Sequence, residues 1–554
     1  MYSFSKKERW ALAGLTVLLL PALLVNLGMV PLYVEEPRRA TVALEMMLRG
    51  NWLVPTINGE FYYLKPPLFN WILAGIYYFA GGPTELLTRI PTVVSLLLLG
   101  LVIFWSGKKY VSADFGALSA LLFVTAAGNL YFNALLAEID IFYSLVTYSG
   151  MILLFYFHQK KSYLLLFLSV YFLGAIGILT KGLPSLVFTG WSLLVFFLVN
   201  KDFRKLFTWQ HLAGILIFLV LTFGYFIVYS RHGDAVKYLM NLSVESGKRL
   251  SGDTFLDYIG HLLLYPLDTL MNLLPASLLL IFAARRSFLK DVRSNTFMRF
   301  ALLMLLAHFP VYWFPPGGRQ RYIIMLYPFM VQLFVYFYLI YFYKEKERFR
   351  LFSVLILVAT GLGAIGSLVP LLVGSMQTVP LLIPVCLVSF VLMAALFFLQ
   401  LKNPSWSVIN LLAAVILLRI FFGMTVLPVR ATEGVAPANK LAAAEIIKTA
   451  GKRDVCILDP TYLPMQTIFY YEKEKLEILP RCNTMQPGKV LITEKFILAE
   501  YHFRKETSEM MINPVKPVSD RLSREDQRII PGRDYEIISE LTLQKRNYLL
   551  ITLN

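Results

Sequence analysis

The chain has 554 residues, of which 57% are hydrophobic and only 16% are charged, and its mean hydropathy is +0.62. A soluble domain carries about 25% charged residues, so this composition excludes a protein with an aqueous surface over its whole length. The formal net charge is +17. Excess Lys and Arg in a membrane protein lie mainly in cytoplasmic loops, so we expect no nucleic-acid partner.

Apolar runs that are long enough to cross a bilayer recur along the chain. About twenty helical residues span the hydrocarbon core, and on this basis the sequence predicts about thirteen transmembrane helices. The predicted spans are 10–32, 90–106, 115–131, 141–157, 163–178, 185–199, 212–229, 258–282, 300–314, 322–342, 351–373, 379–399 and 408–426. No small-residue cleavage site follows the first run, which predicts a retained helix and not a cleaved signal.

Short basic loops predict the orientation of the chain. With the N-terminus in the cytoplasm, the cytoplasmic side holds the basic segments 108–109, 160–161, 201–205, 285–299 and 344–350. The positive-inside rule therefore favours a cytoplasmic N-terminus. An odd number of spans then places the tail outside, which is the periplasm if the protein lies in a bacterial inner membrane.

The predicted organisation is a transmembrane domain over residues 1–429 and a small periplasmic α/β domain over 430–554. Two outer loops, 33–89 and 231–257, are long, and the first contains amphipathic stretches that predict interfacial helices. These stretches are residues 38–47 and 68–79. In the tail, the pattern predicts helices at 437–450 and 465–473 and strands at 454–458, 476–479 and 490–493.

The three cysteines carry little functional information. Cys456 and Cys482 both lie in the tail, where a disulfide can form in an oxidising compartment, but their spacing does not decide whether it does. Cys386 lies in an apolar run and is expected to be buried. The sequence has no CxxC or His-rich pattern, and we expect neither a metal site nor a required cofactor.

Charged residues cluster just after the first predicted span. Glu35, Glu36 and Arg38 lie in a Glu-Glu-Pro-Arg-Arg string, in which a carboxylate can activate an acceptor and an arginine can hold an anionic donor. Interfacial anchoring is the structural alternative. Farther along, Lys65 precedes two prolines and follows an aromatic pair, an arrangement that suits a phosphate contact at the headgroup level. The aromatic residues are Tyr62 and Tyr63.

Other outer turns also carry acids or cations. Glu138 and Asp140 lie where the third span turns into the fourth, and ionisable groups at membrane depth indicate function unless they merely cap the helix. Lys181 occupies the next outer turn. Arg319 and Arg321 follow two glycines and can clamp a phosphate. Together these groups predict an active site at the membrane surface that binds a lipid-linked phosphate and acts on a sugar.

These motifs resemble those of the GT-C glycosyltransferases of the aminoarabinose (4-amino-4-deoxy-L-arabinose) transferase and protein O-mannosyltransferase superfamily. The matching strings are residues 35–40, 50–55, 58–59, 62–71, 89–91, 138–142, 180–184 and 319–322. The match is detailed over about the first 330 residues, and the thirteen spans with a soluble periplasmic domain agree with the architecture of the aminoarabinose transferases. Two positions depart from the family pattern: Glu35 replaces the usual Asp, and Leu64 replaces the Glu that precedes Lys-Pro-Pro.

The resemblance implies an inverting transfer of a sugar from a polyprenyl-phosphate donor, such as undecaprenyl phosphate, on the periplasmic face. It implies catalytic roles for Glu35 or Asp140. The candidates for binding the donor phosphate or sugar are Glu36, Arg38, Tyr62, Tyr63, Lys65, Glu138, Lys181, Arg319, Arg321 and Tyr322.

The acceptor stays open among lipid A, a protein and a surface glycan, and a monomer is expected. An oligosaccharide ligase or polymerase of the same fold is an alternative function. A flippase or transporter agrees less well, because the ionisable groups gather at one membrane surface and no internal repeat is visible. A non-enzymatic scaffold would not need acids and cations concentrated on one face.

Overall fold

The computed structural model describes residues 2–247, 255–342, 344–483, 488–495, 535–544 and 546–553. The chain folds as two compact units. The first comprises Met1–Val30 and Tyr62–Thr432, and the second comprises Pro31–Phe61 and Glu433–Asn554. The sequence pattern predicts residues 33–61 as part of the transmembrane domain. The structure differs because this segment packs with the C-terminal region, a partner that local periodicity cannot reveal.

The described part of the chain is mainly helical. In chain order the helices are α1 (Lys6–Leu24), α2 (Glu36–Arg49), α3 (Leu68–Ala80), α4 (Glu85–Tyr110), α5 (Ala113–Val124), α6 (Ala127–Tyr131), α7 (Ile139–Gln159), α8 (Tyr163–Lys181), α9 (Pro184–Val199), α10 (Trp209–Tyr229), α11 (Ala235–Gly247), α12 (Phe255–Asn272), α13 (Leu280–Ala283), α14 (Phe288–Arg293), α15 (Thr296–Trp313), α16 (Tyr327–Tyr341), α17 (Lys346–Gly366), α18 (Leu382–Lys402), α19 (Ser407–Thr432), α20 (Val435–Ala450) and α21 (Met465–Lys475).

Nine helical segments of the described residues are long and apolar enough to cross a membrane, or eleven if each of two bent pairs is one span. The bent pairs are Ala113–Val124 with Ala127–Leu135, and Phe255–Asn272 with Ala276–Ala283. The first and sixth predicted spans coincide with α1, which begins in charged residues, and with α9, which has 16 residues. Every predicted span therefore contains a helix, and the prediction of a polytopic helical membrane protein is confirmed.

The first predicted span is too long at its C-terminal end. α1 ends at Leu24, and Asn26 has a positive φ of 53°, so residues beyond it turn instead of continuing the helix. Arg89 stabilises this turn, because its Nη1 donates to the carbonyls of Leu27 at 2.7 Å and Val30 at 2.8 Å. The apolar run continues beyond Leu24, so the sequence alone predicted too long a helix. The polar contact from Arg89 that stabilises the turn cannot be recognised from the run itself.

The loop helices expected from amphipathic stretches are present. α2 covers residues 38–47, and α3 covers residues 68–79. α2 has a proline in its first turn and ends at Gly50 with φ of 62°, a left-handed conformation that favours glycine. In the second long outer loop, α11 and the start of α12 are described, whereas residues 248–254 lie outside the described residues.

The second unit is a small α/β fold, as predicted. Strands β1 (Thr56–Ile57) and β2 (Glu60–Phe61) form a hairpin. A five-stranded sheet has the order β4-β3-β5-β7-β6, with β3 parallel to both β4 and β5 and the other pairs antiparallel. Its strands are β3 (Val455–Leu458), β4 (Arg481–Cys482), β5 (Val490–Glu494), β6 (Tyr535–Leu543) and β7 (Arg546–Leu553).

Buried side chains from both parts of the second unit form one core. Leu32, Ala40 and Leu44 from the N-terminal segment pack in the same cluster as Ile468 of α21 and Ile492 of β5. This shared core explains why residues 31–61 fold with the C-terminal region, since burial of apolar surface is the main stabilising term.

In the tail, one predicted strand is absent from the described residues, and the structure decides the question of the disulfide. The predicted strand at 476–479 is wrong: Leu476 takes a left-handed conformation that ends α21, and the next strand begins at Arg481. Cys456 on β3 and Cys482 on β4 form a disulfide. Cys386 is a buried free thiol, as expected.

Candidate active site

The centre of the candidate site is an ion pair in the first unit. Asp140 lies in the first turn of α7, and its Oδ1 contacts Nζ of Lys181, which is the last residue of α8. Both side chains are buried, with 5% and 4% of their surfaces exposed. α8 ends here because Gly182 has φ of 83°, and Pro184 then begins α9. This sharp turn places the Lys181 ammonium beside the N-terminus of α7.

Aromatic rings enclose the lysine of this pair. Nζ of Lys181 lies 4.7 Å from the ring centroid of Tyr143 and 5.3 Å from that of Tyr322. Such cation–π contacts stabilise an ammonium that has lost its water. Tyr322 is a predicted site residue. Tyr143 was missed, although its position one helical turn after Asp140 is the signal that could have indicated it.

A second acid–cation contact lies next to the first. Nη1 of Arg321 is 4.0 Å from Oε1 of Glu138, whose side chain is buried. Burial alone would lower the pKa of Arg321, but the charges of Asp140 and Glu138 outweigh this effect and raise that pKa. The guanidinium therefore stays charged. Its Nε is buried and has no hydrogen-bond partner among the described residues.

The turn that carries Arg321 is built by a glycine and an amide side chain. A Cβ on Gly318 would lie 2.1 Å from the carbonyl oxygen of Tyr312, so only glycine fits there. Gln320 donates from Nε2 to the carbonyl of Tyr265 at 2.8 Å and accepts through Oε1 from Tyr327 at 3.0 Å. Gln320 is therefore a positioning residue that sequence analysis missed.

Arg319 differs from Arg321 in its surroundings. Arg319 is exposed, and its carbonyl accepts a bond of 3.4 Å from the Tyr265 hydroxyl. No ion pair of its side chain is found among the described residues. The structure thus brings one of the two predicted arginines to the buried acids.

Lys65 belongs to the same electrostatic cluster, because its charge acts on Asp140. The backbone of Lys65 is fixed from the second outer loop, where the Tyr238 hydroxyl of α11 donates to the Lys65 carbonyl at 2.6 Å. The predicted residue Tyr63 packs edge-to-face on Tyr238 with centroids 5.6 Å apart. Tyr62 is buried. Tyr238 was missed, because nothing in its own sequence neighbourhood indicates a partner so far away.

The other predicted residues lie in the second unit. Glu35 is the N-cap residue of α2, and its Oε2 accepts from Nη1 of Arg38 at 2.7 Å. Both side chains are about one-third exposed, at 30% and 35%. Glu36 is buried and accepts through Oε2 from the backbone N–H of Tyr33 at 3.1 Å. Glu35 is thus the more accessible of the two adjacent acids.

The formal charges of the cluster in the first unit suit an anion. Lys65, Lys181 and Arg321 supply three positive charges, and Glu138 and Asp140 supply two negative ones, which leaves one positive charge. A phosphate monoanion or diester would neutralise this surplus. Among the described residues, no group of three or more His, Cys, Asp or Glu side chains is placed to hold a metal ion.

Known proteins share parts of this sequence. A family model described as dolichyl-phosphate-mannose-protein mannosyltransferase matches residues 64–226. An undecaprenyl phosphate-alpha-4-amino-4-deoxy-L-arabinose arabinosyl transferase of Proteus mirabilis is 28% identical over 199 residues, which is 35% of each chain. A transferase of the same description from Edwardsiella ictaluri is 25% identical over 194 residues, or 34% of each chain. The matched region thus spans about a third of the length of these curated relatives.

Solved structures resemble the whole chain. ArnT from Cupriavidus metallidurans bound to undecaprenyl phosphate has a TM-score of 0.64 and 17% identity, with 98% of each chain covered. The apo state of the same protein has a TM-score of 0.65. The chain therefore has the fold of these ArnT structures, and the partial sequence matches agree with the resemblance that the motifs indicated.

Proposed function

We propose that the chain is a membrane glycosyltransferase that moves a sugar from a polyprenyl-phosphate donor to an acceptor on the periplasmic face. The observation that carries this proposal is the buried Nε of Arg321, which has no hydrogen-bond partner among the described residues and lies in a cluster with one surplus positive charge. A phosphate oxygen would accept a hydrogen bond from this Nε and would also neutralise the surplus positive charge.

The nature of the donor is supported by the comparisons. The relatives are described as transferases of undecaprenyl-phosphate-linked aminoarabinose, and the similar ArnT structure is bound to undecaprenyl phosphate. The many apolar helices of the first unit supply a lipid-facing surface along which an isoprenoid chain can lie. We propose undecaprenyl phosphate as the carrier and leave the sugar unassigned.

The proposed reaction is a single displacement at the anomeric carbon. An acceptor oxygen loses its proton to a carboxylate and forms a bond to the anomeric carbon while the bond from that carbon to the phosphate oxygen breaks. Polyprenyl phosphate leaves with the bonding electrons, and the configuration of the sugar inverts. All bonds and electrons of this displacement are accounted for without a metal ion or another cofactor.

We propose a division of roles among the site residues. Asp140 is paired with Lys181, so we assign it to holding that ammonium near the phosphate. Glu35 is more exposed, and we assign it the role of general base. Arg321, Lys65 and Lys181 stabilise the charge that develops on the leaving phosphate. The remaining proposed contacts to the donor are Glu36, Arg38, Tyr62, Tyr63, Glu138, Arg319 and Tyr322.

We place the C-terminal region in the periplasm. The disulfide between Cys456 and Cys482 supports an oxidising compartment, and the basic loops support a cytoplasmic N-terminus. The acceptor is proposed to be a lipid resembling lipid A or a protein, and the chain is proposed to act as a monomer.

Transfer by the purified full chain in liposomes that contain undecaprenyl-phosphate-linked sugars tests the reaction. We expect the wild type to consume one such donor and release undecaprenyl phosphate, and Glu35→Gln to lose transfer by about a hundredfold or more while still binding undecaprenyl phosphate.

In cells, mass spectrometry of lipid and glycoprotein fractions from a deletion strain identifies the acceptor. Full activity in both Glu35→Gln and Asp140→Asn contradicts the proposed site, and an unchanged set of glycoconjugates in the deletion strain contradicts the function.

A further inference from the structure

Two carboxyl groups meet inside the second unit. Glu45 of α2 and Glu472 of α21 are both fully buried, with 0% of each residue exposed. α2 and α21 pack against each other in this unit. The two carboxyl groups lie within hydrogen-bonding reach of each other. Acidic residues are almost never fully buried without a partner, so this arrangement calls for a chemical reason.

Hydrogen bonds distinguish the two acids. Glu45 accepts from the backbone N–H groups of Asn58 at 2.5 Å and Gly59 at 3.1 Å, one with each carboxyl oxygen. Glu472 accepts from the backbone N–H of Leu479 through Oε1 at 3.1 Å, whereas its buried Oε2 has no donor among the described residues. An ionised carboxylate can only accept, so the contact between the acids lacks a donor unless Oε2 carries a proton.

No cation on the surrounding described elements forms an ion pair with Glu45 or Glu472 that could stabilise two ionised carboxylates in place of the proton. On α2 the exposed Arg49 donates to the Gly59 carbonyl at 2.9 Å. On α21 Nζ of Lys473 lies 5.7 Å from the Tyr470 ring, and the half-buried Lys475 ends the helix. Neither acid forms an ion pair with a cation among the described residues.

α2 also carries Arg38, which donates to Glu35, and the buried Arg39, and Lys440 of α20 lies 4.9 Å from the Tyr470 ring. The acids on the packed elements include Glu60 on the hairpin, Glu477 after α21 and Asp454 before β3. Burial and the nearby Glu45 raise the pKa of Glu472 well above its usual range. Burial also raises the pKa of Glu45, against the hydrogen bonds that it accepts.

We propose that Glu45 and Glu472 share one proton, and that this protonated pair is a pH-sensitive link that fixes α2 and its hairpin on α21. Glu472 donates through Oε2, and Glu45 is the acceptor that the hairpin amides hold in place. Loss of the shared proton leaves two buried carboxylates in contact, and their repulsion loosens the link.

The link bears on the orientation of α2, whose first turn carries Glu36 and Arg38 and whose N-cap is Glu35. The pair is a positioning pair, and it does not depend on the proposed reaction. Because the folded pKa of Glu472 is raised, its stabilisation is fully present below the pKa of an unfolded Glu, about 4.3. It is lost as the pH rises through the folded pKa.

Infrared spectroscopy of the full chain in detergent tests the shared proton directly. We expect the wild type at pH 7 to show a carbonyl band of a protonated carboxylic acid that Glu472→Gln lacks. Glu474→Gln changes an exposed acid on the same helix and is the matched control that keeps the band. The band should also vanish from the wild type at high pH. A band that is unchanged in both Glu472→Gln and Glu45→Gln overturns the proposal.

Hydrogen exchange tests the mechanical consequence without using activity. After correction for intrinsic base catalysis, amide protection across α2 in the wild type is expected to fall about tenfold as the pair loses its proton. Glu472→Gln keeps an uncharged donor at the same place, so its protection should not depend on pH. Equal pH dependence in the wild type and in Glu472→Gln contradicts the link.

Discussion

Asp140 and Lys181 form a buried ion pair that joins the first turn of α7 to the last residue of α8. The position of Asp140 in a first turn favours a negative charge, since it lies near the positive end of the helix dipole. Lys181 lies at the opposite end of its own helix, which favours a positive charge. Each charge is therefore stabilised by its helix as well as by its partner.

This pair can be tested with a double-mutant cycle. Asp140→Asn leaves a buried ammonium and Lys181→Met leaves a buried carboxylate, and loss of one partner costs about 3–5 kcal/mol of unfolding free energy. The double variant leaves neither charge uncompensated, so we expect it to be more stable than the sum of the single effects implies. Chemical unfolding measures stability, and all three variants should lose transfer. A double variant that is destabilised by the full sum contradicts the pairing.

Arg321 should determine the affinity for the donor phosphate. Arg321→Gln removes a charge and a buried Nε donor, and a hydrogen bond to a charged group is worth about 1.5–3 kcal/mol, or roughly 10-fold to 150-fold in affinity. Binding of undecaprenyl phosphate in detergent measures the change. Arg204→Gln, an exposed change in a basic loop on the predicted cytoplasmic side, is the control. Unchanged affinity in Arg321→Gln shows that this arginine does not bind the phosphate.

Tyr238 should act through the backbone of Lys65. Tyr238→Phe removes the hydroxyl that donates to the Lys65 carbonyl, and a typical hydrogen bond contributes about 1 kcal/mol. We expect about fivefold weaker binding of undecaprenyl phosphate with little change in stability. Tyr110→Phe removes a buried hydroxyl that has no hydrogen-bond partner among the described residues, so it should not weaken binding. Equal effects of the two changes contradict a positioning role for Tyr238.

The disulfide should stabilise the second unit. Its cysteines are separated by 26 residues, and a crosslink of this kind stabilises by about 2–4 kcal/mol. Cys456→Ser should therefore lower the free energy of unfolding by this amount, and a reductant should have the same effect on the wild type. Cys386→Ala, which changes the free thiol, should be insensitive to the reductant. Alkylation of cells before lysis also reports the compartment, since a reduced pair in vivo contradicts a periplasmic tail.

Local sequence patterns predicted most of the membrane architecture, because a span is defined by its own apolar residues. They also predicted α2 and α3 from amphipathic periodicity, and α20, α21, β3 and β5 from short patterns in the tail. The end of α1 could not be predicted in this way. It depends on the guanidinium of Arg89, which is supplied by another helix and satisfies the carbonyls of the turn.

The candidate site was predictable where ionisable residues lie at membrane depth, because burying a charge there is energetically unfavourable. Glu138, Asp140 and Lys181 are of this kind, and the structure brings them together with Arg321. The sequence could not predict contacts that join distant segments through uncharged groups. Tyr238 and Gln320 position the site by donating hydrogen bonds to backbone carbonyls. Every residue has a backbone carbonyl, so the sequence does not show which carbonyl accepts such a bond.

The shared core of the second unit also has a consequence for how the chain is made. Residues 31–61 leave the ribosome early, but their packing partners on α21 and β5 are synthesised only after the last membrane helix. The core therefore cannot form until nearly the whole chain has been translated. Contacts of such long sequence separation form slowly, so the apolar side chains of this early segment lack these partners during most of translation. Formation of the second unit is thus a late event in the synthesis of the chain.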